Sequence, residues 1–247
     1  MTVKILQGDC RTMLAEYGPF DLLIADPPYG DTSLEWDHHV LGWVANALAM
    51  LKPSGSMWVF GSMRYFQVFG RLFQETGFRY AQDIVWEKHN GSAFHSDRFK
   101  RVHEHIVQYY RQGDAWADVF NDVQTTPDAT ERTVRRKKRP PHTGHIEAGA
   151  YTSEDGGPRI MRSVIYMRSA HGRAIHPTEK PDALMEILIR TSCPSNGIVG
   201  DLFAGSGSAG EAAMRAGRKY IGIEKDPGMA RRAQDRVAGL LPFAEVT

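Results

Sequence analysis

Two stretches of this chain combine residue types that can do chemistry, and they stand far apart in sequence. The first is Asp26-Pro27-Pro28-Tyr29, which closes the apolar run Asp21-Leu22-Leu23-Ile24-Ala25. Such a run reads as a buried strand, so the tetrapeptide falls where a strand ends and a loop begins. Open α/β sheets bind ligands at that place. The prolines fix φ and remove two backbone donors, which leaves the carbonyls rigidly aimed. A carboxylate, a carbonyl and an aromatic face on one stiff turn suit a planar amine. They offer two acceptors for its N–H groups and a ring to stack on.

The second stretch is Asp201-Leu202-Phe203-Ala204-Gly205-Ser206-Gly207-Ser208-Ala209-Gly210. Gly205, Gly207 and Gly210 reproduce the spacing G-x-G-x-x-G between an expected strand and an expected helix. Small residues let a ligand approach the backbone, and a helix N-terminus favours a negative group. Glu224 ends the next strand, where an acid that binds ribose hydroxyls is expected. The combination points to a nucleotide-type cofactor and not to a turn that merely packs. A dinucleotide would set its pyrophosphate here, and the methionine carboxylate of S-adenosylmethionine would fit equally well. The glycine loop alone does not separate the two.

The elements that must position these stretches alternate along the chain, as a doubly wound sheet requires. Strands are expected over residues 3–6, 21–25, 56–60, 81–86, 104–110, 197–202 and 220–223. Helices are expected over 11–15, 39–51, 64–76, 180–191, 208–216 and 227–237. The alternation fails between Gln112 and about His171, where Gly, Pro, Thr and charged residues replace apolar periods. The expectation is therefore an α/β, mostly parallel sheet of seven strands, divided as 1–111, an insertion at 112–172, and 173–247. A structureless loop of that length in a compact domain is improbable unless it is functional or disordered. Trp43, Met50, Met57 and Trp58 fall in or beside apolar elements and read as core.

Composition sets outer bounds. A chain of 247 residues with 42% apolar content can build one large α/β domain with an insertion, or two small domains. Its net charge of +1 gives no global field for a polyanion, so any such surface must be local. Cys10 and Cys193 form no CxxC, which argues against a disulfide framework or structural zinc and fits a reducing cytosol. The start of the chain runs straight into a strand without a signal-peptide pattern, and no apolar stretch approaches the ~20 residues of a membrane span. His38-His39, His103 with His105, and His142 with His145 lack companion carboxylates or thiolates, so no metal site is expected.

Taken together, the two stretches resemble the amino-methyltransferases of DNA bases, the N6-adenine and N4-cytosine family. His176-Pro177-Thr178-Glu179-Lys180-Pro181 resembles a further signature of that family, as do the shorter Gly8-Asp9, Trp86-Glu87-Lys88 and His103-Glu104-His105-Ile106. The catalytic motif comes first and the cofactor motif last, an order similar to the permuted β group. The resemblance implies a Rossmann-like methyltransferase sheet with permuted motif order, S-adenosylmethionine as cofactor, and a target-recognition region in the insertion. It implies that Asp26 and the Pro27 carbonyl accept hydrogen bonds from the target amine, that Pro28 stiffens the turn, and that Tyr29 stacks on the base. Asp9 and Cys10, the segment Asp201, Phe203, Ala204, Gly205, Ser206 and Gly207, and Glu224 would line the cofactor, with Lys180 near its methionine end. Asp at the first motif position tilts the family resemblance towards adenine N6 over cytosine N4. An RNA substrate and a catalytically silent DNA-binding subunit are further alternatives. A homodimer and a cognate restriction nuclease are compatible partners.

Residues 131 to 175 carry ten Lys/Arg against four acids, a local +6. Concentrated positive charge is the footprint of phosphate contact. A solvated loop is the alternative reading for Arg135-Arg136-Lys137-Lys138-Arg139 taken alone. Because the run lies in the one segment outside the catalytic pattern, Arg132, Arg135, Arg136, Lys137, Lys138 and Arg139 are expected to contact double-stranded DNA. Phe94 and His95, after the strand ending near Lys88, are candidates to approach an extruded base. Cys10 reads as a small buried residue and not as a nucleophile.

Overall fold

The computed structural model describes residues 2–13, 16–92, 96–136, 148–169 and 178–239. The chain runs β1 (Val3–Gln7), α1 (Cys10–Met13), β2 (Phe20–Ala25), α2 (Trp43–Met50), β3 (Leu51–Gly61), α3 (Met63–Thr76), β4 (Phe78–Ser92) and β5 (Arg101–Arg111). Short strands follow: β6 (Thr125–Thr126), β7 (Arg132–Arg136), β8 (Gly149–Ser153), β9 (Arg159–Ile160) and β10 (Val164–Tyr166). The pattern then resumes with α4 (Asp182–Ser192), β11 (Ile198–Asp201), α5 (Ser208–Arg215), β12 (Lys219–Glu224) and α6 (Pro227–Ala238).

Among the described residues, eight strands form one sheet in the order β1-β12-β11-β2-β3-β5-β4-β10. Every neighbouring pair is parallel except those of β5, which runs antiparallel to both β3 and β4. After β2 the chain proceeds to β3 on one side, whereas β11 leads to β12 on the other. The C-terminal ends of β2 and β11 therefore lie side by side where the winding reverses, the point at which such sheets bind ligands.

Alternation along the strands divides the core. Leu23, Ala25, Met57, Val59, Val107 and Tyr109 pack in a cluster with Trp43 of α2 and Tyr65, Phe69 and Phe73 of α3. Trp58 and Gln108 face α4, where the Trp58 indole Nε1 donates to Ser192 Oγ at 2.8 Å and Gln108 Nε2 donates to the same oxygen at 3.0 Å. Trp43, Met50, Met57 and Trp58 are all buried, as their patterns imply. No helix among the described residues is long and apolar enough to cross a membrane.

The sheet has eight strands where seven were expected. The additional one, β10, pairs with β4 at an edge and buries only Ile165, too little alternation to read in advance. The insertion is correspondingly narrower: residues 123–162 form a compact unit of their own, while 112–122 and the segment from 163 belong to the larger unit. Within the smaller unit the expected irregular stretch contains two antiparallel pairs, β6 with β9 and β7 with β8. Their residues are largely exposed, so no apolar face announces them.

Helix α2 begins at Trp43 and not near His39. Gly42 turns the chain with φ 84°, a left-handed conformation suited to glycine. Strand β3 starts directly after α2, so Lys52-Pro53-Ser54-Gly55 lies inside it, at a register shift between Phe20–Leu51 and Leu22–Ser56. Proline is tolerated at such an irregularity.

Candidate active site

The residues at the end of β2 meet those at the end of β11 because the two strands are in register. Asp201 pairs with Ile24, and Leu202 N donates to the Ile24 carbonyl at 3.0 Å. A cavity of about 1480 Å³ opens above these ends. It is lined by Asp26, Pro27, Pro28 and Tyr29 on one side, and by Asp201, Phe203, Ala204, Gly205, Ser206 and Glu224 on the other. Asp9, Cys10 and Lys180 also line it. The two stretches singled out in the sequence thus share one cleft.

Asp26 has a partner at each carboxylate oxygen. The Tyr29 hydroxyl donates to Oδ1 at 2.6 Å, and Lys180 Nζ donates to Oδ2 at 2.5 Å. Lys180 also reaches Glu104 Oε2 at 3.6 Å, and Lys88 Nζ pairs with Glu104 Oε1. The Tyr29 hydroxyl lies 3.5 Å from Glu104 Oε2. Burial works against the Lys180 ammonium, but Asp26 and Glu104 outweigh it and hold the group above its ordinary value. Burial likewise opposes the Glu104 carboxylate, and Lys180 and Lys88 overcome it, keeping the group below its ordinary value. Burial, reinforced by Asp26 and Glu104, pushes the Tyr29 phenol well above its usual range, so its hydroxyl stays a donor at neutral pH.

The loop after Tyr29 is pinned from within. Asp37 is buried and accepts hydrogen bonds from Gly30 N at 2.9 Å, Thr32 N at 2.7 Å and Thr32 Oγ1 at 2.7 Å. His39 Nε2 lies 2.7 Å from the Tyr29 carbonyl, and its ring meets Phe69 edge-on. The Tyr29 ring lies 5.8 Å from that of Tyr65. This loop therefore fixes the backbone of Tyr29 through its carbonyl.

The glycine loop is equally built. Gly205 adopts φ 50° and its N–H donates to Glu224 Oε2 at 2.8 Å. Asp226 N donates to the other oxygen, Oε1, also at 2.8 Å. Burial raises Glu224 despite these donors. A Cβ added to Gly205 would meet nothing closer than the Phe203 carbonyl at 4.0 Å, so the space above this backbone is open to a ligand. Gly207 stands one step back. It precedes α5 with φ 79° and packs against Ala233, so its part is to turn the chain. Asp201 is enclosed: burial pushes its carboxyl up to about 7, while Phe203 N–H and the Tyr220 hydroxyl act in the opposite direction.

Asp9 receives Arg11 through both carboxylate oxygens and the Arg11 backbone N–H. These contacts, led by the side-chain hydrogen bond, lower it to about 2. Cys10 is buried and its thiol is pushed up to about 12 by that burial, so it is no nucleophile at neutral pH.

Of the basic run, Arg132 and Arg135 are exposed on β7 of the smaller unit, and Arg136 ends that strand. The run therefore begins as a strand paired with β8, and not as a loop. Lys137, Lys138 and Arg139 lie outside the described residues, as do Phe94, His95, His142, His145, His176 and Pro177. Lys88 and Glu104 stand in the sequence only as parts of short family matches, and Asp37 in none. The charge link from Lys88 to Asp26 has no local signature. The Asp37 loop had one: a carboxylate a few residues beyond a Gly-Asp-Thr turn.

A family model described as DNA methylase, covering N6 and N4 enzymes, matches residues 20–235. The chain therefore belongs to the N6/N4 DNA methylase family, and is a methyltransferase. Among curated relatives, type II methyltransferase M2.LlaDCHI of Lactococcus lactis subsp. cremoris is 24% identical over 94% of this chain and 88% of its own. Type II methyltransferase M.HinfI of Haemophilus influenzae is 27% identical over 96% of this chain and 69% of its own. The solved structure of M1.HpyAVI with SAM superposes with a TM-score of 0.66 at 24% identity, covering 95% of this chain and all of that one. The cytosine-N4-specific PvuII DNA methyltransferase superposes at 0.64 with 20% identity, over 99% of this chain and 89% of that one. These likenesses carry the fold.

Proposed function

We propose that this chain transfers the methyl group of S-adenosylmethionine to the N6 amine of an adenine flipped out of duplex DNA. The observation that carries the reading is the shared cleft, with the Asp26 carboxylate at one end and the open Gly205 backbone beside Glu224 at the other. The catalytic stretch precedes the cofactor stretch in the chain, in keeping with the permuted β group. When bound, the cofactor supplies a sulfonium-linked methyl group.

Gly205, Phe203 and Glu224 hold the nucleoside part of that cofactor, and Asp9 follows Gly8, whose N–H donates to the Glu224 carbonyl at 2.9 Å. The exocyclic amine is a poor nucleophile because its lone pair is conjugated with the ring. Hydrogen bonds to Asp26 and the Pro27 carbonyl favour a pyramidal nitrogen and localise that pair. The ionised Asp26 also stabilises positive charge that grows on the nitrogen. Tyr29 replaces part of the stacking lost when the base leaves the duplex. Placement of nitrogen and methyl in line supplies much of the remaining rate. The unit 123–162, with Arg132 and Arg135 exposed, acts as the target-recognition element.

A second reading is cytosine N4, because the same fold also serves a cytosine-N4-specific enzyme. Asp26, the residue tied to N6 transfer by the family resemblance, supports adenine. Labelled-methyl transfer to mixed-sequence DNA followed by nucleoside analysis tests the reading. N6-methyl-2′-deoxyadenosine in the wild-type product and none with Asp26→Ala, at unchanged cofactor affinity, is the expected result. N4-methylcytosine would replace the reading with the second, and transfer only to RNA would overturn both.

A further inference from the structure

The resemblance places Lys180 at the methionine end of the cofactor, but the geometry points elsewhere. Its Nζ lies 2.5 Å from Asp26 Oδ2 and 3.6 Å from Glu104 Oε2, and its side chain is only 3% exposed. Glu104 in turn is held by Lys88 at its other oxygen. Two carboxylates thus share one buried ammonium, and a second ammonium anchors the far carboxylate. The four charges sum to zero, which limits the cost of holding them together in a largely buried site.

Building on the methyltransferase reading, we propose that Lys180 and Glu104 form a positioning pair for Asp26, in which Lys180 holds Asp26 and the Glu104 carboxylate offsets the ammonium charge while Asp26 receives the substrate amine. If Lys180 were paired with Asp26 alone, its full charge would oppose the cation developing on the substrate nitrogen. In the reaction the nitrogen–carbon bond forms as the sulfur–carbon bond breaks, its electron pair staying on sulfur, and the nitrogen then gives a proton to solvent by way of the Asp26 carboxylate. A neighbouring ammonium raises the energy of that cationic stage, and a nearby second carboxylate offsets it. The same pair orients Asp26: Lys180 fixes Oδ2 while Tyr29 fixes Oδ1, leaving the second lone pair of each oxygen for the amine.

The charged and titratable groups acting on this pair are Asp26 and Tyr29 after β2, Lys88 on β4 and Arg101 at the start of β5, while Tyr65 on α3 and Asp201 at the end of β11 act on Asp26. Lys180→Met would leave Asp26 and Glu104 without the ammonium they share, with Lys88 and Arg101 still acting on Glu104. Like charges in a buried site favour the protonated form.

The test compares wild type with Lys180→Met, Glu104→Gln and the double variant, measuring cofactor affinity by calorimetry and single-turnover methyl transfer across pH. Lys180→Met is expected to slow transfer by about a hundredfold at neutral pH, and to move the acid limb of the rate profile to higher pH. Cofactor affinity stays within about threefold. Glu104→Gln slows transfer by about tenfold, and the double variant loses less than the product of the two singles. A loss of cofactor affinity that matches the loss of rate, with an unmoved pH profile, would return Lys180 to the cofactor and overturn the proposal. Multiplicative single effects would also overturn it. A wild type that methylates no DNA would count against the substrate reading. The pair is then decided by NMR titration of the Lys180 ammonium, which must lose its proton at lower pH in Glu104→Gln. An unchanged titration refutes the coupling whatever the substrate.

Discussion

Replacing Asp37 by alanine removes the acceptor around which the loop after Tyr29 is folded. The wild-type carboxylate takes three hydrogen bonds, from Gly30 N, Thr32 N and Thr32 Oγ1, while itself buried. A hydrogen bond to a charged group contributes about 1.5–3 kcal/mol. Gly30 and Thr32 are exposed, so water recovers much of the loss once the carboxylate is gone. The expected destabilisation is therefore about 3 kcal/mol and not the gross sum, which lowers the melting temperature of a chain this size by about 6–12 °C.

The pH dependence follows from the same contacts. Burial would raise Asp37, but the Thr32 and Gly30 donors prevail and hold it below the ordinary 3.8. A carboxylate depressed in the folded state contributes its stability in full above the unfolded value, and loses it as pH falls through the folded value. The gap between wild type and Asp37→Ala should thus be constant from pH 8 to about 5 and shrink only below about 4. Urea unfolding of both proteins across this range measures it. The loop also carries His39 against the Tyr29 carbonyl, so methyl transfer should fall by about 10- to 100-fold while cofactor affinity holds. A gap under 1 kcal/mol at pH 7, or one that narrows already between pH 7 and 5, would refute this account of the loop.

Ser192→Ala leaves the buried Trp58 N–H without its acceptor and should cost about 1–3 kcal/mol in urea unfolding, while Gln108 retains Ser56. Gly207→Ala puts a Cβ at positive φ and 3.2 Å from the Ala233 Cβ. Its melting temperature should drop by about 2–8 °C, from a strain cost of about 1–2 kcal/mol. Replacing Arg132 and Arg135 by Ala should flatten the salt dependence of DNA binding, lowering the slope of log affinity against log salt by about 2. An unchanged slope removes these side chains from the phosphate contacts.

Much of the candidate cleft was legible in the chain because its parts are local. A strand that stops at Asp26-Pro27-Pro28-Tyr29, and a strand–turn–helix that needs Gly205 and Gly207 at positive φ, each depend on neighbouring residues whose conformational preferences can be read directly. The buried alternation of Trp58 against Met57 and Val59 is of the same kind. Less regular parts left no such trace. Strand β10 buries one residue, and β7 with β8 buries almost nothing, so their pairing shows only in the backbone hydrogen bonds they make. The early start of β3 depends on a register shift against β2 that hydrophobicity does not encode.

Residue order alone therefore determined which groups are available: a carboxylate on a rigid turn, a glycine loop opening a helix, and a basic run in the segment that breaks the pattern. Tertiary structure decided whom they meet. Lys180 and Asp26 are 154 positions apart, and Glu104 joins them from the one antiparallel strand of the main sheet. Charges are sequestered in pairs only where several elements close over them together. The force that selects such a partner acts through space and burial, and contiguity along the chain carries no record of it.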